Sequence, residues 1–423
     1  MSEAFTPVDP TPTNWRDPAM QKRIRRRYAA ERRFRLIGLG AVSLSAGFLA
    51  FLLVTMVANG LGGFSRTELR LEVDLRQAAV ALSAAQLAGP NAEAALAEVD
   101  FEGIVRAAAD AQYGRRGARI FSPAARLVLR DAVRADPGLL ARPATLWLPA
   151  DSAIDQAAKG HGTPEATARY RQIEQAGRAR TGFNTTFLTG ADATDPTSVG
   201  IWGAVKGSLL TMIVTLLIAF PIGVLTAVYL EEYARRNRWT DMIEVSINNL
   251  AAVPSIIFGL LGLAFFLQFM HLPRSAPIVG GLTLALMTMP VIVIAGRNAI
   301  KSVPPSIRDA ALGIGASRIQ VVFHHVIPLA LPGILTGTII GMSRAFGETA
   351  PALMIGMRAF FASPPGGFDE PATLLPVQIF LWSDEVSRGF VEKTSAAIII
   401  LLAFLLAMNG LAIYLRNRFE KRW

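Results

Sequence analysis

The sequence predicts an all-α polytopic membrane protein with six transmembrane helices and an α+β domain inserted between the first two. Of its 423 residues, 52% are hydrophobic and only 17% are charged, which is a composition typical of membrane proteins. Six apolar runs are long enough to cross a bilayer. One long stretch, residues 62–200, contains no such run and is therefore predicted to be exposed to water.

The N-terminal segment, residues 1–35, is Pro-rich at first and then strongly basic. Because basic residues beside apolar spans accumulate on the cytoplasmic face, we expect a cytosolic tail. Residues 36–61 are apolar throughout and form the first predicted span. The run is too long for a cleaved export signal and further spans follow, so an uncleaved first helix is predicted.

The inserted domain, residues 62–200, is rich in Ala and Arg and carries mixed charge. Residues 69–73 alternate as a half-buried strand does, and residues 78–87 and 93–109 have helical periodicity. A long loop crosses the membrane whatever its arginine content, so its basic residues do not hold it in the cytosol. We therefore expect a small periplasmic α+β domain.

The remaining residues, 201–423, contain the other five predicted spans. These spans cover residues 207–230, 247–270, 277–295, 328–356 and 395–415. The third is interrupted at Pro254 and Ser255, where we expect either a break that lines a pathway or a simple kink. The short loops that hold most of the arginines lie on the same side as the basic tail, which predicts that both termini are cytosolic.

The segment between the fourth and fifth spans, residues 304–328, is called the loop region below. Its pattern predicts a helix, a glycine turn at Gly313 and Gly315, and a second helix. Ser306 is the candidate N-cap, with Asp309 three residues later as in a capping box. Such an amphipathic, basic segment either lies on lipid headgroups or presents a docking surface.

Immediately after the loop region, Gly333, Gly337 and Gly341 recur every four residues. Arg344 and Glu348 continue the same helical face. Small residues at this spacing allow close helix packing, and charges inside a bilayer are costly, so this face should meet a partner helix or a pore. Arg344 is either an anion-contacting or gating residue with Glu348 as its partner, or half of a permanent interhelical ion pair.

Several classes of chemistry are excluded. The chain has no cysteine and four histidines, which leaves little for a metal centre, and we expect no cofactor. It contains no phosphate-binding loop of the form G-x-x-x-x-G-K-[ST], so it should not hydrolyse ATP itself. No nucleophile or carboxylate pair is convincingly placed for catalysis. The basic residues flank apolar spans, as expected at a membrane surface, so no nucleic acid is expected as a partner.

The loop region resembles the EAA loop of ABC importer permeases, which docks into a cytosolic ATPase. The residues that carry this resemblance are Arg308, Asp309, Ala310, Ala311, Gly315 and Pro328, with aspartate at 309 where glutamate is usual. Further landmarks resemble, in order, those of the permease family of bacterial phosphate ABC importers. These landmarks are Pro221-Ile222-Gly223, Ala227 to Tyr233, Val253 to Gly259, the loop region, and Arg344 to Pro351.

This resemblance implies a MetI-like type I importer fold in the bacterial inner membrane. It implies a heterodimer with a sister permease, a homodimeric cytosolic ATPase and a periplasmic phosphate-binding protein as partners, besides membrane lipid. It also implies that Arg344 and Glu348 act in the substrate pathway. The alternatives are the sister permease itself, a permease for another oxyanion, and a membrane signalling or scaffold protein.

Overall fold

A computed structural model describes residues 17–419, apart from residues 77–81, 83, 88, 90, 359, 360 and 362. The start of the predicted tail, residues 1–16, and the last four residues lie outside the described residues, as does half of the helix predicted at 78–87, namely residues 78–81 and 83. The chain divides into two units, Met1–Met56 and Val57–Trp423. The described part of the first unit belongs to one helix, α1 (Pro18–Gly60), which runs unbroken from the basic segment into the apolar run.

The inserted domain contains a small sheet and seven short helices within the part that the structure describes. In chain order these elements are β1 (Ser65–Val73), α2 (Ala84–Leu87), α3 (Ala92–Ala97), α4 (Phe101–Tyr113), α5 (Ala125–Ala135), β2 (Ala144–Pro149), α6 (Ser152–Ala158), α7 (Pro164–Gln175), β3 (Ala179–Phe183) and α8 (Thr185–Thr189). The strand order is β2-β1-β3, and both pairs are antiparallel. Leu69 and Leu71 of β1 are fully buried, as the alternation predicted. The α+β character is confirmed.

The rest of the chain is helical. In order, its helices are α9 (Trp202–Val228), α10 (Arg238–Ala251), α11 (Ser255–Gly262), α12 (Pro277–Lys301), α13 (Pro305–Gly313), α14 (Arg318–Gln320), α15 (Ile327–Gly347), α16 (Ala350–Met354), α17 (Leu375–Ser383) and α18 (Arg388–Phe419). Three π-helical turns, Tyr229–Tyr233, Leu263–Phe269 and Val321–Val326, follow α9, α11 and α14 without a break.

By length and composition, five helices of the described chain can cross a membrane, and the bent pair α10–α11 would be a sixth. The predicted polytopic helical fold is therefore confirmed. The third predicted span is not one helix, however, because α10 and α11 meet at an angle of 102°. The break lies at Pro254, whose ring cannot donate a helical hydrogen bond and clashes with the preceding turn.

Helix α12 lies at the centre of the helical part. Of the most apolar 18-residue segment of α12, 61% is buried; the corresponding share is 28% for α9, 39% for α15 and 11% for α18. Thr215 of α9 donates a hydrogen bond of 3.2 Å to the carbonyl oxygen of Gly281 in α12. A Cβ added at Gly281 would lie 2.4 Å from Cβ of Val214, so this glycine allows α9 to approach α12 closely.

Candidate functional site

The loop region consists of α13, a glycine turn and a second helix, as its sequence pattern predicts. Gly315 has φ +91°, a conformation that residues with a Cβ rarely adopt. The second helix does not stop before the fifth span, because α14, the π-helical turn and α15 form one helical stretch from Arg318 to Gly347. Movement of the second half of the loop region is therefore movement of the glycine-striped helix itself.

The predicted cap of α13 was wrong. The helix begins after Pro304, with Pro305 in its first position, and no side chain caps it. Ser306 is therefore the second residue of the helix and does not occupy the N-cap position, from which a hydroxyl caps the first amides. The capping box lies at the second helix, where Ser317 accepts from the amide of Gln320 at 3.4 Å and the Gln320 side chain accepts from the amide of Ser317 at 2.9 Å.

Arg308 of α13 attaches the loop region to two other helix ends. Its Nη2 lies 2.7 Å from Oε1 of Glu232, just beyond α9. The same guanidinium donates to the carbonyl oxygens of Val303 at 2.7 Å and Ile300 at 3.0 Å. Ile300 lies in the last turn of α12 and Val303 just after it, and a cation there meets the negative end of the helix dipole. Arg308 therefore fixes the position of α13.

The other predicted coupling residues divide into two groups. Asp309, Ala310 and Gly315 are exposed. Ala311 is only 5% exposed and packs in an apolar cluster beneath the loop region, while Pro328 is half-buried at the start of α15. The first group is accessible to a partner, whereas Arg308, Ala311 and Pro328 hold the surface in place.

An apolar surface at the turn was not among the predicted coupling residues. We call it the apolar tip; its members, with exposed fractions, are Leu312 (46%), Ile314 (85%), Ile319 (63%) and Phe323 (49%). Ile314 lies between two glycines, so its exposure follows from the turn. Four large apolar side chains exposed within twelve residues are typical of an interaction site.

A second ion-pair network joins the same helix ends, and sequence reasoning did not identify it. Arg297 of α12 contacts Glu231 at 2.5 Å and Glu244 of α10 at 2.8 Å. Lys301 reaches Glu231 at 3.4 Å. The available signal was two glutamates directly after an apolar run, which must be paired if that helix end is packed. The network connects α9, α10 and α12 around the base of the loop region.

The glycine stripe packs against α12. A Cβ added at Gly333 would lie 2.7 Å from Cβ of Ala299, and one at Gly337 would lie 2.1 Å from Cβ of Ala295. At Gly341 the nearest atom is Cγ2 of Thr288, at 3.1 Å. Close packing therefore requires glycine at positions 333 and 337, and requires it less strictly at position 341.

Of the two charged residues predicted to continue the glycine face, only Arg344 lies on the helix. Helix α15 ends at Gly347, so Glu348 is already in extended conformation beyond it. Nε of Arg344 lies 3.6 Å from Oε1 of Glu348, and the two side chains are 52% and 22% exposed in this chain. Ala345 packs with Leu284 and Met287 of α12, so the contact with α12 continues past Gly341, whereas the guanidinium of Arg344 stays accessible in this chain.

The helix that follows the break at Pro254 packs against the helix that follows the break after Gly347. A Cβ at Gly259 of α11 would lie 2.8 Å from Cα of Pro351 and 2.9 Å from Cβ of Met354, both in α16. Phe258 shares an apolar cluster with Ala345, the residue after Arg344. The structure therefore brings the helix that begins after Pro254 next to the end of α15. Pro254 itself is exposed and Ser255 is half-buried.

The part of the chain that the structure describes contains no group of three or more His, Asp or Glu side chains arranged to hold a metal ion. The polar features of the site are instead one accessible guanidinium beside a carboxylate, and a loop surface fixed by ion pairs. Such an arrangement can attract an anion and receive force from a partner, since it provides a cationic contact and a rigid docking surface.

Residues 199–422 match the family described as the binding-protein-dependent transport system inner membrane component. Residues 21–168 match a domain of unknown function, DUF3333. The match to the first family covers more than half of the chain and includes the loop region, the glycine stripe and Arg344.

Among curated relatives, the probable ABC transporter permease protein YqgI of Bacillus subtilis is 36% identical over 168 residues, which is 40% of this chain and 56% of that protein. The phosphate transport system permease protein PstA 1 of Mycobacterium tuberculosis is 34% identical over 37% of this chain and 51% of its own length. The phosphate transport system permease protein PstA of Haemophilus influenzae is 31% identical over 50% of this chain and 73% of its own. The chain thus spans little more than half the length of the first two relatives.

Proposed function

The chain belongs to the family of binding-protein-dependent transport system inner membrane components, and we propose that it is the permease subunit of an ATP-driven importer of inorganic phosphate. The observation that carries this proposal is its 31% identity with the phosphate permease PstA of Haemophilus influenzae over 73% of that protein. The chain itself is non-catalytic in this scheme, and a separate subunit hydrolyses ATP.

The proposed ATPase contact is the exposed part of the loop region. Asp309, Ala310, Gly315 and the apolar tip form its surface, while Arg308 and Ala311 support it from within. Exposed apolar side chains suit a protein partner better than water. A homodimeric ATPase would contact this chain through one subunit and a sister permease through the other.

The proposed substrate contact is Arg344. Its planar guanidinium can donate two parallel hydrogen bonds to a phosphate oxygen pair, and its loose pairing with Glu348 leaves donors free. Glu348 then acts as a competing anion that limits how tightly phosphate is held. The pathway itself would lie between this chain and the sister permease, and a periplasmic binding protein would deliver phosphate to it.

In this scheme the chain is a multi-pass inner membrane protein with both termini in the cytosol. The loop region and the basic start of α1 face the ATPase side, and the inserted domain lies in the periplasm. The distribution of short-loop arginines supports this orientation.

The experiment that tests the proposal is uptake of radiolabelled phosphate at low external concentration. Cells lacking this gene, and the same cells carrying it back, are compared after other phosphate carriers have been removed. Loss of uptake that complementation restores supports the proposal. Unchanged phosphate uptake, with loss of sulfate or molybdate uptake instead, would assign the chain to another oxyanion.

A further inference from the structure

The second turn of α18 contains two charged residues that are buried against the inserted domain. Glu392 is 7% exposed and Lys393 is 3% exposed. Both stand before the apolar part of the helix, at the level where α18 meets the start of β1 and α6. Charged residues at such a position are usually solvated, so their burial requires an explanation.

Glu392 is paired with a lysine of the inserted domain. Nζ of Lys159 lies 2.9 Å from Oε2 of Glu392 and 2.7 Å from Oδ2 of Asp155. It also donates to the carbonyl oxygen of Ser65 at 3.2 Å. The three side chains are each at most 10% exposed, and Asp155 accepts a further hydrogen bond of 2.8 Å from the amide of Thr67. Lys159 and Glu392 are 233 residues apart in the chain.

Lys393 makes a second connection across the same junction. Its Nζ donates to the carbonyl oxygen of Gly63 at 2.8 Å and lies 5.0 Å from the ring centroid of Phe187. The backbones are also in close approach, because a Cβ at Gly63 would lie 2.7 Å from Cβ of Ala396. A Cβ at Gly389 would lie 2.6 Å from Oγ of Ser152 and 2.7 Å from Cγ of Pro196.

Separating α18 from the inserted domain would break the Lys159–Glu392 pair and the hydrogen bond from Lys393 to the carbonyl oxygen of Gly63. Removing one partner of a buried ion pair is strongly unfavourable, since the remaining charge keeps its desolvation cost. The inserted domain and the start of α18 are therefore expected to move as one body.

The same helix contacts the helix that carries Arg344. The rings of Phe346 and Phe404 stack with centroids 4.8 Å apart, and Ser343 donates to Oδ1 of Asn409 at 2.6 Å. These contacts lie on either side of Arg344 in sequence. A displacement of α18 would therefore be transmitted to the end of α15.

We propose that the inserted domain and the start of α18 form one rigid body, and that this body fixes the position of the Arg344 end of α15. Lys159 and Glu392 are the positioning residues. This assigns a function to a region that otherwise matches only a domain of unknown function. The inference rests on the transport function proposed above.

The test combines uptake with a distance measurement inside the chain. The chain has no cysteine, so Ser343→Cys with Asn409→Cys introduces two thiols whose oxidation to a disulfide reports the α15–α18 distance. Disulfide formation in membranes is followed by maleimide–polyethylene glycol labelling of the remaining thiols. The changes tested are Lys159→Met and Glu392→Gln, each also made with Ser343 and Asn409 intact for uptake. The control is Glu102→Gln, which breaks a 3.0 Å pair with Arg106 that is about two-thirds exposed in the same domain.

We expect the rate of disulfide formation and the maximal rate of phosphate uptake to fall by about fivefold in both variants, with KM unchanged, because positioning rather than binding is lost. Glu102→Gln should match the wild type in both. Equal disulfide rates, or equal uptake, in variants present at wild-type abundance would overturn the proposal. If the charge variants fail to accumulate, Gly389→Ala is tested in their place by the rate of disulfide formation and by phosphate uptake. Its methyl group forces the junction apart without changing charge. A wild-type chain that moves no phosphate would instead refute the proposed function, and the disulfide rates would still report on the junction.

Discussion

Nη2 of Arg308 lies 2.7 Å from Oε1 of Glu232, and this contact joins residues that are 76 positions apart in the chain. It attaches the first helix of the loop region to the end of α9. The same arginine closes the end of α12 through two carbonyl oxygens. A force on the loop region would therefore reach two apolar helices through one side chain, besides reaching α15 directly.

Replacing Arg308 with alanine should destabilise the chain by about 2 kcal/mol, since Glu232 loses its partner, Val303 loses the donor to its carbonyl oxygen and Ile300 loses one of its donors. Uptake should fall with it. The measurement is the thermal midpoint of the purified complex in detergent. Arg318→Ala, at an exposed position of the same loop region, is the control and should change the midpoint little. Equal midpoints for the two variants would contradict the anchoring role.

Replacing Ile314 with asparagine should leave the stability of the chain within about 0.5 kcal/mol of the wild type, because the side chain is 85% exposed. Co-purification of the ATPase should drop by about tenfold, since an apolar contact at the centre of the interface is lost. Val386→Asn, at a residue that is 99% exposed between α17 and α18, is the matched control. Full ATPase recovery with the Ile314 variant would remove the apolar tip from the docking surface.

Gly337→Ala should destabilise α15 against α12 by about 1–3 kcal/mol, because the added methyl group would lie 2.1 Å from Cβ of Ala295. Gly410→Ala in α18 is the control, since no atom lies within 4 Å of its added Cβ. That change should be neutral or slightly stabilising, as alanine favours helix. The thermal midpoint of the purified complex in detergent measures the effect of both substitutions. A tolerated Gly337 variant would mean that the helices can separate at no cost.

Arg344→Ala should reduce phosphate uptake by at least about tenfold while the complex still assembles. The exposed pair with Glu348 contributes at most about 1 kcal/mol to stability, so loss of uptake would not reflect unfolding. Arg106→Ala removes another exposed pair of the same spacing and serves as the control. Uptake that persists in the Arg344 variant would make the pair structural.

The apolar runs and the glycine turn could be predicted because they depend on local sequence. Helix periodicity also identified the face of Gly333 and Gly337, which meets α12. It could not predict the exposure of Arg344, because periodicity defines a face but not how far the neighbouring helix covers it. The break before Glu348 further removed that residue from the helix.

The ion-pair networks could not be predicted, since their partners are far apart in the chain. Glu231 and Arg297 are separated by 66 residues, and Lys159 and Glu392 by 233. The cap of α13 was missed for a local reason. Pro305 takes the first helical position, which proline favours, and this places Ser306 two positions beyond the N-cap.

The central claim is that this chain conducts phosphate when an ATPase acts on it, and reconstitution tests it most directly. The chain is purified with its partner subunits, placed in proteoliposomes with ATP inside, and supplied with the periplasmic binding protein and radiolabelled phosphate outside. The account predicts phosphate accumulation that requires ATP, exceeds sulfate accumulation, and is lost with Arg344→Ala. Accumulation that is equal without ATP, or absent while the ATPase is bound and active, would contradict it.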